Sequence, residues 1–281
     1  MLIRCWGARG SIPVSGSEYV KYGGDTPCIE IRTKNDEIII IDAGSGIRKL
    51  GNRLLKEGRF DFTMIFTHSH WDHIIGFPFF KPIYLKKTNV QIFGCPASQG
   101  SLEKLLGDIM SPPHFPVSFN EIKANLTFEN NDSCRTSYQI DSVRITPIAL
   151  SHPNRGLGFK FEEDGKTFVF LTDNELAFKH PGGLDYDDYM NFSKGADLLI
   201  HDSEYTESEY KIMKTWGHSL YTDALRLAIE AEVKTFGLYH HNQDHTDEIM
   251  DSMVADCNST AASQGSALSC LAVSQDMEFK L

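Results

Sequence analysis

The stretch THSHWDHIIGFPFF, which begins at Thr67, contains three histidines and one aspartate within six residues and directly follows an apolar, strand-like run. At the extended end of a strand His68 and His70 project from the same face, and Asp72 and His73 begin the next turn and aim back toward them. The apolar flanks make a solvated polar loop a poor explanation, because buried imidazoles need partners. Since imidazole and carboxylate groups bind zinc, manganese or iron, this stretch predicts a metal site.

Strand and helix patterns surround this stretch and must position it. The first half of the chain predicts the strands LIRCWG, CIEIRT, EIIIIDAG, FTMIFTH and NVQIFG, and a second series follows with LTFEN, VRITPIALSH, LGFKFEE, TFVFLTD and DLLIHDS. Helical patterns lie in GSGIRKLGNRLLKEG, SQGSLEKLLGDIM and SLYTDALRLAIEAEV. Two β-rich halves, each closed by helices and joined without a linker or a tandem repeat, predict a single domain over residues 1–281.

The composition is typical of a soluble globular protein. The 281 residues are 41% hydrophobic and carry a formal net charge of −11. No apolar run approaches the length of a membrane span and no signal peptide is evident, so we expect a cytoplasmic protein without a membrane contact. The six cysteines lie far apart without a C-x-x-C pair, which favours buried, reduced thiols over disulfides.

The pattern H-x-H-x-D-H after a strand resembles the hallmark of the metallo-β-lactamase-fold hydrolase superfamily. The resemblance extends from Asp42 in EIIIIDAG through the C-terminal helices. The segments GARGSIP, YGGDTPC, DLLIHDSEYT and WGHSLYTDALRLA further resemble a small phosphodiesterase-like branch related to RNase Z. The resemblance implies a four-layer αββα sandwich and a metal-dependent hydrolase.

The resemblance also implies ligands for two divalent ions, with zinc expected first and manganese or iron as alternatives. The next histidine of the family pattern matches His152 in ITPIALSHPN, and the bridging carboxylate matches Asp173 in FVFLTDNE. For the last histidine of the family pattern, TFGLYHHNQDH contains two candidates, His240 and His241. We favour His241 as the metal ligand, because it better matches the family's strand-then-histidine position. We expect His240 to line the pocket. One ion would then bind His68, His70 and His152, the other Asp72, His73 and His241, with Asp173 between them.

The implied chemistry is hydrolysis by a hydroxide that such an ion pair supplies at neutral pH. Asp72 would hold the second ion and also orient the nucleophile. His201 lies in DLLIHDSEYT, which resembles the HEAT-like segment of RNase Z and is therefore expected beside the substrate. There His201 would protonate the leaving alkoxide as a general acid.

The expected substrate is a small phosphodiester such as a cyclic nucleotide. RNase Z carries a long arm that grips tRNA between the bridging aspartate and the HEAT-like segment, whereas only a short acidic stretch separates Asp173 from His201 here. Together with the negative net charge, this argues against polymeric nucleic acid. Carboxyl-ester or lactone hydrolysis on the same site is an alternative, and so is a non-catalytic metal-binding or ligand-binding protein. Because dimers are common in the superfamily, a homodimer is compatible with the resemblance.

Two polar residues are candidates for a supporting role beside the metal ligands. Asp42 ends a strand, where it either orients a metal-bound histidine through a hydrogen bond or shapes the turn. His218 either forms a hydrogen bond toward His201 or Asp202 or simply begins a helix.

The segment 79–138 is a candidate lid or insertion over the site. It supplies Phe79 and His114, among other aromatic residues. These rings either stack on a ring of the substrate or pack onto the protein core.

Overall fold

Two seven-stranded sheets form the centre of the molecule. The computed structural model describes residues 1–94, 101–129 and 136–281. The first sheet contains β1 (Leu2–Gly7), β2 (Cys28–Arg32), β3 (Ile38–Ile41), β4 (Asp61–Phe66), β5 (Asn89–Gly94) and β6 (Asn125–Phe128). The second contains β7 (Tyr138–Ile140), β8 (Val143–Ala149), β9 (Leu157–Glu163), β10 (Lys166–Leu171), β11 (Leu198–Asp202), β12 (Thr235–Tyr239) and β13 (Ser269–Ala272), and β14 (Glu278–Lys280) returns to pair with β1.

Seven α-helices of the described residues accompany the sheets. They are α1 (Ile47–Glu57), α2 (Trp71–Ile74), α3 (Leu102–Ile109), α4 (Tyr186–Ser193), α5 (Glu207–Met213), α6 (Tyr221–Glu230) and α7 (Asp247–Ser263). Helices α1 and α3 cover the outer face of the first sheet, and α4, α6 and α7 cover the outer face of the second. The predicted four-layer αββα sandwich is therefore confirmed.

Strand β3 shows why the layers form. Its four residues are all isoleucine and all buried, so the alternation of apolar and polar residues expected of a one-sided strand is absent. Ile38 and Ile40 pack against α1, whereas Ile39 and Ile41 face the other sheet across the centre of the sandwich. A strand that buries both faces requires a layer on each side.

Parallel pairing brings the functional loops to one edge. Strands β3 to β6 are parallel to one another, and so are β10 to β13. The carboxyl ends of parallel strands lie at the same edge of a sheet, where ligands of α/β proteins commonly bind. The loops that follow β4, β10, β11 and β12 therefore meet there.

Much of the segment predicted as a lid is part of the sandwich itself. Strands β5 and β6 pair within the first sheet, and α3 packs against that sheet. Residues 95–100 and 130–135 of the segment lie outside the described residues. The role of the remainder as a lid stays a prediction.

The cysteine and membrane expectations can be compared with the described residues. Cys5, Cys28, Cys257 and Cys270 are buried and free, whereas Cys95 and Cys134 lie outside the described residues. Within the described part of the chain, no helix has both the length and the apolar character needed to cross a bilayer.

Arg9 joins the N-terminal loop to the loop that follows β12. Its side chain is completely buried, and Nη1 donates hydrogen bonds of 2.9 Å to the backbone oxygens of Asn242 and His245. Nη2 donates a third hydrogen bond of 3.1 Å to the oxygen of Gly23. These contacts hold the two loops together.

We expect Arg9→Met to lower the free energy of unfolding by about 3 kcal/mol or more, because it leaves buried carbonyl groups without donors, each costing roughly 1–3 kcal/mol. Urea unfolding followed by circular dichroism measures the change. Arg48→Met is the matched control: Arg48 is exposed, so a shift within about 0.5 kcal/mol is expected. Equal effects of the two substitutions would contradict this role of Arg9.

Candidate metal centre

Strand ends supply each polar group of the centre. His68 and His70 follow β4, and Asp72 and His73 lie in the short helix α2 directly after them. From the second sheet, His152 follows β8, Asp173 follows β10 and His240 is the first residue after β12. The two sheets thus bring these side chains together at one edge.

The first cluster consists of His68, His70, His152 and Asp173, whose ligand atoms all lie within 4.8 Å of one another. His70 Nδ1 lies 2.9 Å from His152 Nε2. An Asp173 carboxylate oxygen lies 3.4 Å from His68 Nε2 and 3.7 Å from His152 Nε2. Three imidazoles and one carboxylate oxygen therefore converge on one point.

The second cluster consists of Asp72, His73, His240 and again Asp173, within the same 4.8 Å limit. His73 Nε2 lies 3.4 Å from Asp72 and 3.2 Å from Asp173. His240 Nε2 lies 3.0 Å from Asp72 and 3.4 Å from Asp173. The Asp173 carboxylate belongs to both clusters and lies between them.

Unpaired nitrogens show that this donor set fits metal ions. The Nε2 atoms of His68 and His73 are buried and have no hydrogen-bond partner among the described residues. Leaving a buried polar atom unpaired costs about 1–3 kcal/mol, so such atoms are rare without a reason. Both atoms point toward Asp173, and a cation held there by imidazole and carboxylate groups would pair them.

The charge states of His70 and His152, in the first cluster, also suit a cation. Burial, assisted by neighbouring His68, lowers the pKa of His70 to about 4, and burial lowers the pKa of His152 well below its ordinary value. Both rings are therefore neutral at pH 7 and can offer a lone pair.

In the second cluster burial would lower the pKa of His73 and His240, but Asp173 and Asp72 raise both well above the ordinary value, so an ion bound there would displace protons. For Asp173, burial would raise the pKa, but His240 and His73 outweigh it and hold the pKa well below the usual range.

Hydrogen bonds to the opposite nitrogen orient three of the histidines. His73 Nδ1 lies 2.7 Å from Asp42, which also accepts hydrogen bonds from Thr67. His152 Nδ1 lies 2.8 Å from the backbone oxygen of Gly217. His240 Nδ1 lies 2.9 Å from Glu204. Such contacts fix the ring and its tautomer, so that Nε2 faces the cluster. Of the two alternatives for Asp42, orientation of a histidine describes the observed contact.

Three of these residues have a left-handed backbone conformation. The φ angles are 61° at Asp42, 49° at Asp173 and 57° at His240, each at the end of a strand. Aspartate and histidine are among the side chains that tolerate this region best, although it is uncommon. Each turn directs the side chain away from the sheet and into the edge where the clusters lie.

The structure corrects the choice of His241 as a ligand. His240, directly after β12, enters the second cluster, whereas His241 points elsewhere and its Nε2 lies 2.8 Å from the backbone oxygen of Val273. The left-handed turn at His240 is the physical reason, because it rotates that side chain, and not the next one, toward Asp173.

His201 also differs from its expected place. It is completely buried, with Nδ1 2.7 Å from the backbone oxygen of Asp202 and Nε2 3.2 Å from the Asn174 side chain. Successive residues of a strand point to opposite faces, so Asp202 reaches toward the clusters and His201 does not. Burial lowers the pKa of His201 to about 4. His201 is therefore not placed to donate a proton to a substrate.

His218, rather than His201, lies beside the clusters. Its ring stacks on that of His240, with centroids 4.6 Å apart and an interplanar angle of 15°. Its Nδ1 lies 2.9 Å from Asp202 and 3.3 Å from Glu204. Burial would lower the pKa of His218, but Glu204 and Asp202 raise it to about 9. Of the alternatives given above, the bond toward Asp202 is the one observed.

Sequence reasoning missed two buried glutamates, Glu204 and Glu175. Glu204 contacts His240 and His218 as described above. Glu175 accepts hydrogen bonds from the backbone nitrogens of Thr215 and Gly217, at 2.8 and 2.9 Å, and from the Tyr210 hydroxyl at 2.7 Å. It thereby fixes the loop that carries His218. Both follow a strand-end aspartate by two residues, in DNE and DSE, which was the available signal.

Phe79 and His114 lie in a groove beside the clusters rather than within them. Phe79 is half exposed, and its ring meets that of Phe115 edge to face with centroids 5.5 Å apart. His114 is exposed and lines the same groove.

Known proteins share this fold and sequence pattern. The family model described as Beta-lactamase superfamily domain matches residues 37–241. Ribonuclease Z of Haloferax volcanii is 24% identical over 271 residues, covering 83% of this chain and 82% of that protein. Ribonuclease Z of Sulfolobus acidocaldarius is 28% identical over 246 residues, covering 76% and 81%.

Solved structures give the same picture at the level of fold. The metallo-beta-lactamase fold protein YhfI from Bacillus subtilis superposes with a TM-score of 0.70 at 16% identity, covering 99% of this chain and 98% of that one. A diphosphatase from the PhnP family gives 0.68 at 16% identity, covering 100% and 97%. The short form of human tRNase Z gives 0.65 at 19% identity, covering 100% and 99%.

The fold and the paired clusters define a metallo-β-lactamase-fold protein. Because the family model matches well over half of the chain, this protein belongs to the beta-lactamase superfamily, in the branch related to ribonuclease Z. It is a metal-dependent hydrolase.

The comparisons overturn one expectation. Both of these relatives are ribonucleases by name, so the prediction that argued against a polymeric nucleic acid substrate was wrong. The net charge of −11 averages over the whole chain, whereas cations in the site would supply the local positive charge that attracts phosphate.

We expect His240→Ala to reduce the metal content of the purified protein to about half that of the wild type, because it removes a ligand from the second cluster and leaves the first cluster complete. Inductively coupled plasma mass spectrometry, after dialysis of the protein against a zinc-containing buffer, measures the metal content. His241→Ala is the matched neighbour, equally buried but outside the clusters, and should retain the wild-type content. The reverse result, with loss only in His241→Ala, would restore the original choice of ligand.

Proposed function

We propose that this protein hydrolyses phosphodiesters at the paired clusters, with His218 as the proton donor to the leaving oxygen. The observation that carries the proposal is the contact between His218 Nδ1 and Asp202, 2.9 Å apart, in a ring stacked on His240. A group held at one nitrogen beside a metal cluster is suited to protonate an alkoxide from the other nitrogen. The relatives named ribonuclease Z and the PhnP-family diphosphatase support phosphoryl chemistry.

The proposed ligand sets follow the two clusters. His68, His70 and His152 would hold one divalent ion, and Asp72, His73 and His240 the other, with Asp173 shared between them. When bound, such an ion pair polarises a phosphoryl oxygen and makes hydroxide available near neutral pH. The donor set suits zinc first, with manganese and iron as alternatives.

The side chains around the clusters have separate tasks. Asp72 accepts a hydrogen bond of 2.9 Å from the backbone nitrogen of Ser11, which fixes its carboxylate beside the clusters, where it would orient the attacking water. Asp202 fixes His218 through Nδ1 and leaves Nε2 as the nitrogen that can reach the substrate. Asp42 and Glu204 hold the imidazoles of His73 and His240 in place.

RNA is among the substrates to be tested first, together with small phosphodiesters. Two relatives are ribonucleases by name, and RNA presents the same scissile group as a cyclic nucleotide or a model diester. The proposed chemistry acts on that shared group.

The purified protein, loaded with zinc or manganese, should hydrolyse bis(p-nitrophenyl) phosphate, and removal of the ions by a chelator should abolish turnover. Release of p-nitrophenolate measures the rate. Rapid opening of lactones by a protein that leaves phosphodiesters intact would contradict the proposal in favour of carboxyl-ester chemistry. Stoichiometric retention of a ligand without turnover of any ester would favour a binding protein.

The role of His218 predicts a dependence on the leaving group. With a short RNA, whose leaving group is an alkoxide, we expect His218→Ala to lower kcat by about 10²- to 10⁴-fold. With thymidine 5′-p-nitrophenyl phosphate the loss should be small, because p-nitrophenolate leaves without protonation. Steady-state kinetics on the two substrates gives the comparison.

His201→Gln provides the control for this experiment. His201 is buried in the same strand as Asp202 but makes no contact with the clusters among the described residues, so its replacement should not discriminate between the two leaving groups. Equal losses on both substrates in His218→Ala would show that His218 does not act as the general acid.

A further inference from the structure

A groove of about 520 Å³ is lined in part by Ser69, Trp71 and Ile74, which are chain neighbours of the cluster residues. Its volume falls within the range of about 300–1,000 Å³ that is typical of small-ligand sites. It lies between α2, the turn that follows it, and α3. Its walls include Trp71, Ile75, Phe79, Leu105, His114 and Phe115.

One wall of this groove comes from the metal-binding motif itself. Trp71 lies in the chain between the cluster residues His70 and Asp72, yet its side chain points outward and is 75% exposed. Phe79, on the next turn, is 50% exposed. Large apolar side chains that remain exposed together, beside a reactive centre, mark a binding surface.

The chemistry of the groove selects a flat, uncharged group. Phe79 and Phe115 meet edge to face, with an interplanar angle of 85°, so the ring of Phe79 remains available for stacking. None of the described residues that line the groove is lysine or arginine, and its one carboxylate, Asp108, is paired with Lys104 at 2.7 Å. The groove therefore offers no cation to a phosphate, whereas Ser69 and His114 offer polar contacts at its rim.

We propose that this groove binds the nucleobase of the nucleotide that carries the scissile phosphate, by stacking on Trp71 and Phe79. The inference rests on the proposed function, because the phosphate at the metal centre places the base in the adjoining groove. A base matches the walls better than an acyl chain does, since its faces are apolar and its edge carries groups that Ser69 and His114 can contact. Stacking on aromatic side chains contributes roughly 1–3 kcal/mol per base, which corresponds to about 5- to 150-fold in affinity.

Equilibrium binding of two probes that differ only in the base tests the proposal. Isothermal titration calorimetry of the zinc-loaded protein with adenosine 5′-monophosphate and with ribose 5-phosphate gives an affinity ratio. We expect adenosine 5′-monophosphate to bind the wild type about ten-fold more tightly. Trp71→Ala and Phe79→Ala should reduce this ratio to about two-fold or less. Because both side chains are largely exposed, neither substitution should prevent folding.

Ile212→Ala is the control, since Ile212 is 77% exposed but lies on α5, outside the groove. It should leave the affinity ratio unchanged. Equal binding of the two probes by the wild type, or an unchanged ratio in Trp71→Ala, would overturn the proposal. The readout does not depend on turnover, so failure of the protein to cleave diesters would refute the proposed function separately from the groove.

Discussion

The carboxylate of Asp173 is the group around which the site is arranged. It is almost completely buried, and it lies 3.2–3.4 Å from the Nε2 atoms of His68, His73 and His240. A buried carboxylate is costly unless charged or polar partners surround it. Asp173 and the imidazoles around it therefore stabilise each other in the buried site. The rings of His73, His240 and His152 are in turn oriented by Asp42, Glu204 and the backbone oxygen of Gly217.

The sequence predicts part of the site from a local signal and the rest through a family resemblance. The H-x-H-x-D-H spacing after an apolar strand brings four groups together within six residues, whereas His152, Asp173 and the four-layer sandwich were implied by the resemblance. Parallel strands then bring the strand ends that carry these groups to one edge without further information. In the structure, strand β3 consists only of isoleucine and is buried on both faces, which is consistent with the sandwich that the resemblance implied.

The predictions for His241 and His201 differ from the structure because the direction of each side chain depends on one backbone angle or on the alternation of side chains along a strand. His240 and His241 are adjacent histidines, and the φ of 57° at His240 decides which ring enters the cluster. Likewise, the alternation of side chains along β11 directs Asp202 toward the site and His201 away from it. The groups that hold Glu175 come from α5 and the loop after it, more than 30 residues away, and no pattern in the chain marks that pairing. The prediction about the substrate failed for a different reason: the net charge is a sum over the whole chain and does not give the charge at the site.

Each cluster takes its side chains from both sheets: His68, His70, Asp72 and His73 follow strand β4, and His152, Asp173 and His240 follow strands of the other sheet. An ion bound in either cluster would thus fasten the two halves of the sandwich to each other. Binding to the folded form alone adds about 2.7 kcal/mol to stability when the free ion exceeds its dissociation constant a hundred-fold. The concentration of free ion would then contribute to the free energy of unfolding, and a shortage of metal would lower the stability of the fold as well as the activity.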